Sequence, residues 1–155
     1  MAYVVGVGSN MRVPGIGSPA KVVAAAQEAL SDRGFGLVAT SRTMASAPLG
    51  PSRRRYANAA VMVHSTLAPP AMLALLQEIE AEFGRERRGR RWGARTLDLD
   101  LILWSGGAWR SPSLIIPHPA FRERAFVIRP AAEVAPDWRD PVSGLTLRQL
   151  AARVS

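Results

Sequence analysis

Residues 96–104 read TLDLDLILW. Leu97, Leu99, Leu101 and Leu103 fall on one face of an extended segment and Asp98, Asp100 and Ile102 on the other, because successive side chains of a strand point to opposite sides. This predicts a half-buried strand with two carboxylates side by side on its open face. Immediately upstream, residues 84–95 hold three glycines, six arginines and no apolar periodicity, which predicts an exposed loop. Before that loop, Pro69 and Pro70 suit a helix's first turn, and Met72, Leu73, Leu76, Ile79 and Phe83 form an apolar stripe that stops at Gly84. Residues 56–65 read as a strand, and residues 35–47 contain another. Ser18 and Pro19 read as N-cap and first residue of a helix that carries Val22, Val23, Ala26, Ala29 and Leu30 and ends near Gly34. Residues 2–8 are β-prone and run into the turn cluster Gly8-Ser9-Asn10. The order β-α-β-β-α-β predicts an α+β, ferredoxin-like two-layer sandwich, an antiparallel sheet with helices packed on one face. Proline-rich connections and a short helix near Leu145 to Ala152 complete a single domain over 1–155.

The length of 155 residues suits one domain with a substantial core. The formal net charge is +8, from 20 basic and 12 acidic residues, and Lys21 is the only lysine. The surplus is local: residues 53–55 and 85–95 hold nine arginines and one glutamate, and the rest of the chain is neutral. Such clusters favour an anionic partner: nucleic acid, acidic lipid or a polyphosphate nucleotide. With no cysteine, disulfides, thiolate metal sites and cysteine nucleophiles are excluded. No apolar run approaches the ~18 residues of a membrane span, and the first residues, MAYVVGVGSN, lack the charged segment of a signal peptide. A cytoplasmic location is expected.

Two carboxylates at i and i+2 repel each other unless a countercharge intervenes. Magnesium removes that conflict, since it prefers hard oxygen ligands and commonly joins one or two carboxylates to substrate phosphates. A bare D-x-D pair is more often a solvated face, but here an arginine loop able to neutralise phosphate directly precedes it. Within that loop, Trp92 either closes over a bound nucleotide or caps the core. Tyr56 and Asn58 share a strand face, where an aromatic plane beside an amide suits a flat heterocycle. His118 and the run RERAF (122–126) follow a proline-bounded turn; a lone histidine in such a place is more often structural than catalytic.

Taken together, Gly8-Ser9-Asn10, APLGP (47–51), YANAAV (56–61), RWGARTLDLDLILW (91–104) and PHPAFRERAFVIRP (117–130) resemble, in collinear order, the hydroxymethyl-dihydropterin pyrophosphokinases of folate biosynthesis. The resemblance implies transfer of the terminal diphosphate of MgATP to the hydroxymethyl group of a reduced pterin, with release of AMP. It implies that Asp98 and Asp100 hold two magnesium ions and that Arg85, Arg88 and Arg95 contact phosphates, with Arg85 and Arg95 counted as catalytic beside the aspartates. Trp92 then closes with its loop. Gln77, Glu80, Leu101, His118 and Arg124 fall in the nucleotide and phosphate region. Tyr56 and Phe126 stack on the pterin, Asn58 bonds its edge, and backbone groups from Ala47 to Leu49 complete that site. The resemblance further implies a monomer that binds ATP and reduced pterin and neither nucleic acid nor membrane.

Some positions depart from the family's pattern. Ser113 and Glu78 stand where members carry basic residues near ATP, and Pro119 stands in place of an aromatic, which implies weaker nucleotide contacts or contacts moved to Arg110 or Arg122. Two rival readings share the architecture. Nucleotidyl cyclases and polymerase palms place paired aspartates on such a sheet for two-metal chemistry. RNA-binding modules also pair such sheets with basic loops, but the first and third strand segments lack the aromatic patterns that reading needs.

Overall fold

Alternation along 98–104 works out as a strand, and its one irregularity shapes the molecule. The structure, a computed structural model, describes residues 1–33, 35–46, 56–84 and 96–154. Strand β1 (Ala2–Ser9) lies centrally, antiparallel to β4 (Tyr56–His64) on one side and to β5 (Asp98–Trp104) on the other. The outer strand beside β4 comes in two pieces, β2 (Gly36–Thr40) and β3 (Met44–Ser46), both antiparallel to β4. The spatial order β2-β4-β1-β5 is that of the expected α+β ferredoxin-like sheet. Among the described residues β5 is therefore an edge.

Helices α1 (Pro19–Asp32) and α2 (Pro69–Gly84) cover one face. Val22, Val23, Ala26 and Leu30 of α1 and Met72, Leu76 and Ile79 of α2 are buried against Tyr3, Val5, Val7, Val61, Val63, Leu99 and Leu101. These are the apolar stripes expected from 3.6-residue spacing. Ser18 has extended backbone at the start of α1, but its side chain caps nothing; instead its carbonyl accepts the Val22 N–H at 2.9 Å.

The expectation of helices on one face only is corrected by the structure: the opposite face carries a second layer, of which only the short helix near Leu145 to Ala152 was expected. Helices α3 (Ala125–Val134) and α4 (Leu147–Ala151) pack Ile128, Ala131, Val134, Leu147 and Leu150 against Val4, Ala60, Ile102 and Leu103. Leu103 therefore departs from the expected alternation. The register slips at Val4/Val5, where Val5 pairs with Leu101 and Val4 with Leu103. Ile102 is the extra residue of a bulge, and a bulge turns every later side chain to the other face. A capping box between Thr146 and Gln149 starts α4. The small hairpin β6 (Trp109–Ser111) and β7 (Leu114–Ile116) flanks β5. Among the described residues no helix is long and apolar enough to cross a membrane.

Two ion pairs tie the second layer down. Arg42, in the break between β2 and β3, donates its backbone N–H and its Nε to Glu133 of α3 at 3.1 and 3.3 Å. The backbone bond first, then the guanidinium, holds the Glu133 carboxyl below the usual range. Arg122, in the 3-10 turn Phe121–Glu123, donates Nε and Nη2 to Asp140 at 2.5 and 2.7 Å, and Asp140 is 0% exposed. Burial alone would raise the Asp140 carboxyl. Hydrogen bonds from Arg122, the Ser143 hydroxyl and the Val142 amide, together with the Arg122 charge, outweigh burial and hold it well below the usual range.

Truncating Ile79, fully buried between α2 and the sheet, is expected to cost about 2–5 kcal/mol in urea unfolding, whereas Val142→Ala, at a position 72% exposed, is expected to stay within about 0.5 kcal/mol of wild type. The ionised Asp140 carboxylate stabilises the fold wherever the unfolded chain is also ionised, above about pH 4, and that contribution falls as acid protonates the unfolded state first. The stability gap between wild type and Asp140→Asn should thus be constant from about pH 5 to 8 and narrow below about pH 4; a gap that widens on acidification would contradict this account.

Candidate active site

Strand pairing brings the site residues together. Gly8 of β1 pairs with Asp98 of β5 and with Asn58 of β4, and Gly6 pairs with Asp100. Directly paired residues share a sheet face, so Asn58, Asp98 and Asp100 rise beside a strip of β1 that has no side chains. A Cβ at Gly6 would lie 3.3 Å from Ile102 Cδ1, and one at Gly8 would lie 3.3 Å from Asn58 Oδ1. The glycines thus form the floor of a cavity of about 130 Å³, with walls from Tyr56, Asn58, Asp98, Asp100, His118, Arg124 and Phe126.

A second cavity, of about 300 Å³, lies against Leu73 of α2, Leu99 and Leu101 of β5, residues 112–115 of the β6–β7 hairpin, and Pro119. Leu99 and Leu101 belong to the α1/α2 face, so the two cavities lie on opposite sides of the edge strand β5. Asp100 and His118 line both.

Local hydrogen bonds hold this junction. The His118 N–H donates to the Ile102 carbonyl at 3.1 Å, and the Ala120 N–H donates to His118 Nδ1 at 3.2 Å. With Nδ1 accepting, the neutral ring carries its proton on Nε2 and offers a donor there. Burial lowers the His118 pKa; Asp100 pulls it up and Arg124 pulls it down, leaving it below the ordinary value. On the other face of β5, Glu80 of α2 accepts the Leu99 N–H at 2.7 Å, which fixes the strand midway between the two aspartates. Arg124 begins α3, its carbonyl accepting the N–H groups of Val127 and Ile128, and its guanidinium lies 5.9 Å from the centre of the Phe126 ring.

Of the residues expected from sequence, Asp98, Asp100, Tyr56, Asn58, His118, Arg124 and Phe126 meet at the first cavity, and Leu101 lines the second. Glu80 acts through the backbone of β5, outside the described walls of both cavities. Gln77 is exposed on α2 and lines neither. Ser113 and Pro119 line the second cavity, while Glu78 faces Arg33 at 3.8 Å. Arg122 cannot replace a missing nucleotide contact, because its fork is committed to Asp140. Ala47, Leu49, Arg85, Arg88, Trp92 and Arg95 lie outside the described residues, as does the triplet Arg53 to Arg55. Sequence reasoning missed Gly6 and the floor role of Gly8, although a G-x-G in a β-prone run signals a strand face stripped of side chains. It also missed Leu73, Leu114 and Ile115, whose wall depends on tertiary packing.

Asp98 and Asp100 offer hard oxygen donors, and among the described residues no group of three or more His, Asp or Glu forms a cage. That set fits magnesium, which keeps positions open for phosphate oxygens and water.

The sequence profile of the 7,8-dihydro-6-hydroxymethylpterin-pyrophosphokinase family (HPPK) matches residues 4–136. A Methylorubrum extorquens protein named 2-amino-4-hydroxy-6-hydroxymethyldihydropteridine pyrophosphokinase is 38% identical over 96% of this chain and 90% of its own length. Its namesake from Haemophilus influenzae is 41% identical over 88% of this chain and 82% of its own length. A Synechocystis protein of the same name is 46% identical over 70% of this chain, a stretch that spans 55% of that relative. A solved Plasmodium falciparum HPPK-DHPS chain has the same fold, with a TM-score of 0.70 at 13% identity over 98% of this chain and 44% of its own. The chain belongs to the hydroxymethyl-dihydropterin pyrophosphokinase family, ATP-dependent diphosphotransferases of folate biosynthesis.

Proposed function

We propose that this chain transfers diphosphate from MgATP to 6-hydroxymethyl-7,8-dihydropterin across the edge of β5, with the pterin in the first cavity and the nucleotide in the second. The observation that carries this reading is that Asp100 and His118 line both cavities, so groups bound on either side of the strand meet there. Tyr56 and Phe126 supply aromatic faces for the pterin, and the Asn58 amide supplies edge hydrogen bonds. Leu73, Leu101, Leu114 and Ile115 give the apolar walls a purine base needs. The whole chain works as one catalytic domain; both core clusters lie on the one sheet that carries the aspartates. The reading includes a monomer acting on small molecules in the cytoplasm, without nucleic acid or membrane.

Asp98 and Asp100 would hold magnesium, two ions, which would supply charge neutralisation on the transferring group when ATP is bound. The pterin hydroxyl oxygen bonds to the β-phosphorus as the bond from that phosphorus to the AMP oxygen breaks. The chain's task is positioning and charge. Arg124 places a cation at the rim, and neutral His118 donates from Nε2 to a phosphate oxygen. Arg85 and Arg95, which the family resemblance assigns to the phosphates, would add further positive charge there. The aspartates, holding metal, are poor bases, and the hydroxyl proton passes to water.

Mass spectrometry of a reaction of ATP, reduced pterin and magnesium should show AMP and pterin diphosphate in equal amounts; ADP or a cyclic nucleotide instead would overturn the reading. Asp98→Ala or Asp100→Ala should lower turnover by roughly 10³-fold or more, and chelating magnesium should silence the wild type reversibly. Asp100 is exposed, so Asp100→Ala should leave stability within about 0.5 kcal/mol, and full activity in either variant would remove the metal site. Gly8→Ala should crowd Asn58 and raise the KM for pterin about tenfold with a much smaller change in the KM for ATP.

A further inference from the structure

The segment that carries His118, Arg124 and Phe126 crosses from the edge of β5 to α3 in a few residues. It is tied at its start, where His118 bonds Ile102, and α3 is held beyond it by Ile128 and Ala131 in the second core cluster. Between those ties, Phe121 is fully buried, and the Arg122 guanidinium lies 4.6 Å from the centre of its ring. The same guanidinium grips Asp140 with two hydrogen bonds, and a bidentate fork fixes orientation as well as distance. Asp140 is itself immobilised: it accepts from the Ser143 hydroxyl at 2.7 Å, the Val142 N–H at 3.1 Å and the Ser143 N–H at 3.3 Å. These bonds build the turn that leads into α4, so Arg122 is anchored to the C-terminal layer two residues before Arg124.

We propose that the Arg122–Asp140 pair is a positioning device that sets Arg124 and Phe126 at the wall of the first cavity. The proposal rests on the reading of that cavity as the pterin site. Asp140 lies beyond residues 4–136 that the family profile matches. Neither residue touches the cavity; both act through the backbone of 122–126. The nearby Arg148–Asp137 pair, 3.1 Å apart with both side chains largely exposed, provides a control, since exposed pairs contribute little.

The test compares Asp140→Asn, which keeps an acceptor for Ser143 and Val142 while losing the charged fork, with Arg122→Leu and the control Asp137→Asn. Hydrogen exchange of the peptide 118–127 and the separate KM values for pterin and ATP are read on each folded protein. In both pair variants, exchange in 118–127 should quicken, the pterin KM rise by about tenfold and kcat fall because Arg124 is displaced too, with the ATP KM changed less than the pterin KM and exchange in β4 near wild type; the control should match wild type throughout. Wild-type protection and pterin KM in both pair variants overturns the proposal, as does faster exchange spread evenly over the chain with an unchanged pterin KM, which marks a purely structural role. Should the wild-type protein yield no AMP and pterin diphosphate, the proposed activity falls, and the exchange arm alone still decides whether the pair fixes this segment.

Discussion

Two like charges stand on one edge of a sheet, and the structure is arranged around them. Asp98 and Asp100 are two residues apart on the same side of β5, about 7 Å between Cα atoms. Their repulsion falls when a cation joins them, and a cation with phosphate ligands needs room. Gly6 and Gly8, the cross-strand partners of the aspartates on β1, leave that room. From the other face Glu80 holds the Leu99 amide between the two aspartates, and from the edge His118 holds the Ile102 carbonyl. The carboxylates are thus presented by a strand tied at Leu99 and at Ile102, which sets their placement in advance of any ligand.

The bulge at Ile102 reconciles this presentation with a core on both faces. Without it, Leu103 would stay with Leu99 and Leu101 on the α1/α2 side, and the cluster around Ile128 and Phe121 would lose a fully buried leucine. With it, β5 keeps its aspartates clear beyond the end of α3 and still contributes two large side chains beneath that helix. Being an edge, β5 also has open space on either face. Two cavities therefore open on opposite sides of one strand, and Asp100 lines both.

Much of this was legible in the amino-acid sequence, for physical reasons that differ by element. The alternation of 96–104 and the apolar stripes of the first two helices report burial directly, so strands, helices and sheet order follow from them. The pairing of Tyr56 with Asn58 follows from the period of two. Of the second layer only the short C-terminal helix was legible; α3 was not, because RERAFVIRP carries no strong N-cap and its apolar face is complementary only to a surface that folding creates. Leu103 was misplaced because a bulge leaves no mark on local alternation. Arg122 looked like a spare phosphate ligand, since nothing local in the sequence ties it to an aspartate 18 residues away. Ser18 has the composition of a cap, yet its backbone carbonyl rather than its hydroxyl serves the helix.

The central claim is that β5 separates the two substrates and that Asp98 and Asp100 lie where their reacting groups meet. A crystal structure with magnesium, a non-hydrolysable ATP analogue and the pterin tests this most directly. The account predicts the pterin between Tyr56 and Phe126 on the glycine floor, the base against Leu101 and Ile115 on the opposite side, and metal-bound phosphates at the two aspartates. Both ligands on one side of β5, or phosphates held away from Asp98 and Asp100, would contradict it.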